Sequence, residues 1–190
     1  MAVTKKKISQ WINEYDKSQS AKNVKKRKLS DKLIHRLQCD RKENGINVST
    51  RWLGRVNEKL SSFDDCDDFK SIIAKVEELA RDIYGIGELT VYDTATCIGC
   101  PRGVFPDEVY IHAGTRVGAG AIIKLKGRRV VSKGEFVQAC PDFMKLDPIQ
   151  IEDFLCIYSA YLTENQERIK RIEPSKRKKC RSSKVPKGGC

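Results

Sequence analysis

The sequence predicts an all-α fold, or nearly so, and three features of the chain point there. Apolar residues recur along most of its length at the i, i+3, i+4, i+7 spacing of an amphipathic helix. Convincing period-2 strand patterns are almost absent. Helix punctuation separates the apolar runs, with Ser, Thr or Asp before them and Gly or Pro after. The 190 residues suit a single domain with appendages, long enough to bury a core without staples.

Ile8, Trp11, Ile12 and Tyr15 predict a first short helix. A polar linker containing Lys25-Lys26-Arg27-Lys28 leads to a second, capped by Ser30 and carrying Leu33, Ile34 and Leu37, which ends near Asn44-Gly45. Ser49 or Thr50 can cap a third, with Trp52, Leu53, Val56 and Leu60. Four carboxylates, Asp64, Asp65, Asp67 and Asp68, suit the positive end of a helix dipole, or a metal-binding cluster. The helix they precede is the most regular of the chain: Phe69, Ile72, Ile73, Val76, Leu79, Ala80 and Ile83. It runs into Tyr84-Gly85-Ile86-Gly87, and a further helix carries Leu89, Tyr92, Ala95 and Ile98.

Val109–His112 fits either a short strand or a helix. The small residues of 113–123 suit a helix packed closely on a neighbour, or a backbone approaching a ligand. Lys124, Lys126, Arg128 and Arg129 form a compact basic turn. Ser132 and Glu135 have capping-box spacing ahead of Phe136 and Val137. Asp147-Pro148 supplies a cap and a first-turn proline for the last helix, with Ile151, Phe154, Leu155, Tyr158 and Leu162. The expected organisation is an N-terminal helix and basic linker over 1–29, a multi-helix domain over 30–173, and a disordered basic tail over 174–190.

The net charge of +12 suggests a polyanionic partner. Its distribution changes what it means. Residues 1–59 carry 16 basic and 6 acidic side chains, residues 60–167 carry 11 and 18, and residues 168–190 carry 10 and 1. The ends are basic and the middle is acidic. The tail serves as a phosphate-binding arm or as a solubilising extension. No apolar run approaches the ~18–20 residues of a membrane span, and the start lacks the apolar segment of a secretory signal. The expected location is intracellular and cytoplasmic, or nuclear if the tail's KRKK acts as an address.

Eight cysteines in such a chain read as reduced thiols, with Cys39 and Cys156 beside apolar faces. Cys97-Ile-Gly-Cys100 is half of a zinc site and would need two more ligands from among His112, Cys140 and Cys156. No cofactor is expected.

Residues 80–95 carry the most information about function. Two glycines straddling one apolar residue allow a tight hairpin between helices, with Ile86 plugging between them. The amides of Gly87 and the following turn then face outward at a helix N-terminus, which can bind a phosphate oxygen without side-chain charge. A glycine-terminated helix turn with a purely structural role has the same spacing.

The segment resembles the helix-hairpin-helix DNA-binding motif, placed at about 66–99, and is distantly similar to that of endonuclease-III-type DNA glycosylases, whose hairpin reads L-P-G-I-G-x-x-T-A. Gly85, Ile86, Gly87 and Thr90 match, over about 20–25 residues. The family's catalytic pattern does not carry over. Tyr110 stands where the aspartate of a V-D-T-H-like segment would fall, and Leu89 where some members carry a nucleophilic lysine. Its iron–sulfur cysteine spacing has no counterpart. Asp107, Asp93, Tyr110 and His112 are the only catalytic candidates, so the chain is expected to bind rather than to catalyse.

His112-Ala-Gly-Thr-Arg116 fits a phosphate or base-contacting loop, or a helix start with Thr115 as its cap. The expected function is largely sequence-independent binding of a DNA or RNA backbone. Gly85, Ile86, Gly87, Thr90, Thr115, Arg116, Lys124, Lys126, Arg128 and Arg129 are the contact candidates. The alternatives are a divergent glycosylase or lyase, and a helical module that binds a protein partner.

Overall fold

The computed structural model describes residues 3–20, 42–43 and 46–165. These residues are mostly helical, with two small antiparallel strand pairs among them. The helix expected from Ser30, the Lys25–Lys28 cluster, Cys39 and the basic tail lie outside the described residues.

Helix α1 (Lys5–Ser20) buries Ile8, Ile12 and Tyr15, the stripe its spacing predicts. Trp11 is half-buried, its ring about 6 Å from those of Tyr158 and Tyr161. Strands β1 (Lys42–Glu43) and β2 (Ile46–Asn47) pair antiparallel. Helix α2 (Val48–Glu58) then begins ahead of both residues expected to cap it, so Ser49 and Thr50 lie within its first turn. Trp52 is fully buried, and its indole N–H donates to the Thr94 hydroxyl at 3.2 Å. Leu60 falls beyond the helix, in a 3-10 turn over Leu60–Phe63, and is exposed.

Helix α3 (Phe69–Ala80) is capped by Asp68, which accepts from the Ser71 amide at 2.6 Å. That bond holds the Asp68 carboxyl below its usual range. Helix α4 (Glu88–Gly99) packs along α3. A Cβ at Gly99 would lie 2.6 Å from the Val104 carbonyl oxygen, so the exit from α4 needs glycine.

The ambiguous Val109–His112 stretch resolves as strand β3 (Val109–Tyr110), followed by Ile111 and a helix cap at His112. Strand β3 pairs antiparallel with β4 (Val130–Val131). Between them, α5 (Ala113–Gly120) takes the close-packing role: a Cβ at Gly118 would lie 2.3 Å from the Leu155 carbonyl oxygen of the helix beneath.

Helix α6 (Lys133–Ala139) follows Ser132, but the expected capping box does not form. Ser132 makes no side-chain cap bond, and Glu135 pairs with Arg128 at 2.7 Å rather than reaching back to the Ser132 amide. A 3-10 turn over Pro141–Lys145 leads to α7 (Pro148–Ile157), where Asp147 and Gln150 do form the reciprocal box. The apolar stripe expected as one last helix breaks at Tyr158, and α8 (Ser159–Leu162) continues it.

Among the described residues the interior divides into two apolar clusters. The first gathers Trp52, Phe63, Phe69, Ile72 and Val76 with α4, and reaches Tyr110. The second gathers α1 with Phe136, Phe143, Ile151, Phe154 and Leu155. Each fully buried side chain of this size contributes about 1.5–3 kcal/mol. No helix among the described residues is long and apolar enough to cross a membrane.

Candidate nucleic-acid interface

The link between α3 and α4 is built from its own backbone. The Ile83 amide bonds the Ala80 carbonyl and the Ile86 amide bonds the Ile83 carbonyl, which tightens the chain as it leaves α3. Gly85 then takes φ +96°, a left-handed conformation that side chains disfavour. Ile83 is buried, and Ile86 packs half-buried against the first core, anchoring the turn from beneath. Gly85, Gly87 and Tyr84 lie outside, Tyr84 with 78% of its surface exposed.

Gly87 is the N-cap of α4. It has no side chain to offer the amides of the first turn, and nothing lies within 4 Å of the place a Cβ would take. Thr90, in that turn, is half-buried, and its carbonyl accepts from the Thr94 hydroxyl at 2.7 Å. Uncapped amides at the positive end of a 12-residue helix therefore meet an open surface. A shallow groove beside them is lined by Glu77, Arg81, Asp82, Glu88, Val91 and Arg129 along with the turn itself.

The basic turn is divided between two faces. Arg129 reaches the groove, where its Nη2 lies 3.2 Å from Glu77 Oε1 and its Nε 3.2 Å from Glu88 Oε1. Lys124, Lys126 and Arg128 line a separate groove with Glu135 and Gln138. Arg128 is folded onto its own turn. It holds both Glu135 oxygens at 2.7 and 2.8 Å and donates to the Lys124 and Leu125 carbonyls. That bidentate pair raises the Arg128 pKa and lowers that of Glu135. Lys126 sits at φ +48° beside Gly127, which closes the turn.

Arg116 spans between the regions: its guanidinium donates to the Ile111 and Arg128 carbonyls and lies 3.8 Å from Glu88. Thr115, expected at the interface, is fully buried. It bonds the His112 backbone, while His112 itself is the N-cap of α5. The roles expected of those two residues are thus exchanged.

His112 is buried, and both ring nitrogens are engaged. Nδ1 accepts from the Gly114 amide at 3.2 Å, which leaves Nε2 carrying the proton that it donates to Glu152. Burial pushes the Glu152 carboxyl up, against the opposing pull of His112. This pair ties the start of α5 to α7 and reads as a structural clamp.

A cavity of about 310 Å³ adjoins the groove and shares Glu77, Glu88, Val91 and Arg129 with it. Tyr92, Tyr110, Ile111 and His112 line it further in, with the Tyr92 and Tyr110 ring centroids 5.6 Å apart. The Tyr92 hydroxyl is enclosed, without a hydrogen-bond partner among the described residues. Burial raises its pKa, with nearby Glu152 adding to the effect. Lys70, at the cavity, pairs with Glu108 at 3.2 Å and lies 3.9 Å from the exposed Asp107. Asp93 is half-buried on α4.

Cys97 and Cys100 are half-buried, and Cys140 is buried in the second core. Among the described residues no three His, Cys, Asp or Glu side chains are grouped to hold a metal ion.

Glu77, Glu88, Tyr92 and Glu152 escaped the sequence reading as site residues. Glu152 left little trace, since it stands beside Asp153 between Ile151 and Phe154, and the spacing does not say which of the two carboxylates is buried. Glu77 left none, because a charge on the outer face of α3 is what any surface helix shows. Compared with known proteins, the chain matches no family model, no curated protein and no solved structure.

Proposed function

We propose that this protein binds the sugar–phosphate backbone of nucleic acid through the turn between α3 and α4, without base readout. The observation that carries the reading is the glycine N-cap: an exposed turn whose uncapped amides face an open groove with Arg129 at its edge. A phosphate oxygen supplies the acceptors those amides lack, and the helix dipole favours its charge. The resemblance to the helix-hairpin-helix motif supports the same assignment. Positive charge outside the groove adds sequence-independent affinity.

The adjoining cavity favours a second, narrower reading in which one unstacked base enters between Tyr92 and Tyr110. That reading stops at binding. Glu77 and Glu88 are ion-paired to Arg129, and both ring nitrogens of His112 are committed to the fold. No group there is assigned as an acid or base for excision.

The test is fluorescence anisotropy with a labelled duplex, using wild type and Gly87→Asp. Binding by wild type should weaken steeply between about 50 and 200 mM salt. Asp at an N-cap stabilises a helix by a few tenths of a kcal/mol relative to Gly. The variant should therefore fold at least as well while placing a carboxylate over the phosphate site. Its affinity should fall about tenfold or more, as hydrogen bonds to a charged group are worth about 1.5–3 kcal/mol. Wild type that does not bind, or binds without salt dependence, refutes the reading. A Gly87→Asp protein that binds like wild type moves the contact away from this turn.

A further inference from the structure

Arg129 is the one member of the basic turn that lines the groove beside the glycine turn, and two carboxylates already hold it there. Glu77 comes from α3, Glu88 is the first residue of α4, and Arg129 enters from the residue before β4. One guanidinium thus bridges both helices across the groove. The three side chains are partly exposed, at 58% for Arg129, 45% for Glu77 and 41% for Glu88. Two oxygens on neighbouring guanidinium nitrogens are what a phosphate presents to arginine. Glu88 also stands in the turn whose amides would meet that phosphate, with Arg116 at 3.8 Å on its other oxygen.

We propose that Glu77 and Glu88 form a clasp that competes with phosphate for Arg129 and so selects the ligand. This rests on the nucleic-acid reading above. A ligand must displace two tethered carboxylates before it reaches the arginine. A single phosphate, free or on a mononucleotide, offers too few bonds to do so. A strand of closely spaced phosphates engages the amides, Arg129 and other cations together, and displaces the clasp. The carboxylates therefore set a threshold that favours polymeric nucleic acid over small phosphates.

The test compares Glu77→Gln/Glu88→Gln with wild type, since the amides keep shape and remove charge. Duplex affinity should rise about tenfold, the scale of one additional strong bond to a backbone phosphate. Arg129→Gln should weaken binding in wild type, and should cost clearly more in the double variant, where it cancels the rise, a coupling that the clasp predicts. Asp65→Asn/Asp67→Asn removes the same charge from an exposed stretch elsewhere and should raise affinity less than about threefold. Inorganic phosphate should compete more strongly against duplex on the double variant than on wild type. Exposed ion pairs contribute little to folding, so thermal melts should coincide. Should the double variant melt early, the single Glu77→Gln and Glu88→Gln proteins carry the same comparison.

A double variant that binds like wild type, or no better than the Asp65/Asp67 control, overturns the clasp while leaving the turn as the binding site. Absence of duplex binding by both proteins at about 50 mM salt overturns the nucleic-acid reading and the clasp with it.

Discussion

Two turns of this molecule invite comparison, one rich in glycine at 84–88 and one rich in cations at 124–129. The glycine turn carries no cation, yet it presents backbone donors with no side-chain cap to an open surface. The basic turn carries four cations, and two are spent inside the protein: Arg128 on Glu135 and its own turn, Arg129 on Glu77 and Glu88. Charge in a sequence is therefore a poor measure of charge available to a ligand. What remains free depends on which carboxylates the fold brings within about 4 Å, the range at which an ion pair forms.

The strongest way to break the comparison is to loosen the frame that holds the turns in place. His112 caps α5, which leads to the basic turn, and Glu152 anchors it to α7. Glu152→Ala leaves the neutral His112 N–H buried without an acceptor and should cost about 1–3 kcal/mol in urea unfolding for the unsatisfied donor, with a further loss from the emptied space. Glu152→Gln keeps the acceptor and should fold like wild type. The pH dependence separates them further. Burial raises the Glu152 pKa above its ordinary 4.5. A raised folded pKa contributes stability that is complete below that ordinary value and is lost as pH rises through the folded one. Wild type should thus lose ground to Glu152→Gln as pH rises from about 4.5.

A smaller effect comes from Tyr110, in the cavity wall beside the glycine turn. Burial, with Asp107 and Glu108 nearby, pushes its hydroxyl from 10.0 up to about 12. The folded state disfavours the tyrosinate, so this contribution is complete below pH 10 and lost as pH rises toward 12. A difference of that size bounds it at about 3 kcal/mol. Tyr110→Phe should remove that part of the alkaline decline, read from unfolding curves and tyrosinate absorbance. An unchanged decline would mean that the wall is open to solvent and the cavity is no defined site.

How much of this was legible in the sequence follows from the range of each interaction. Local signals read well. The stripe Ile8-Ile12-Tyr15, the acidic approach to α3, the cap at Asp147, and the small-residue helix that lets Gly118 meet Leu155 all show at short spacing. Competition between local and distant partners did not. Ser132 and Glu135 have the spacing of a capping box, and Arg128 takes the glutamate instead. The β3–β4 pair joins residues about twenty apart, which periodicity over two-residue strands cannot signal. The site divides the same way. The glycine turn was visible because backbone geometry demands glycine there, whereas the Glu77–Arg129 pair spans 52 positions and has no local mark.

The smallest expected effect sharpens the comparison most. Lys124 and Lys126 are exposed, but their groove is shared with Glu135 and Gln138 rather than with the glycine turn. A backbone phosphate held by the α4 amides has no reason to bring its neighbours over that second groove. Lys124→Gln/Lys126→Asn tests this without strain, because asparagine tolerates the left-handed backbone at position 126. Duplex affinity should fall less than about threefold, and the salt slope should flatten by less than about one. Gly87→Asp should cost at least several times more. If the lysine pair proves the costlier loss, the phosphate track runs over the basic turn. The glycine turn would then be a helix connection, and the chain's positive charge would have located the site after all.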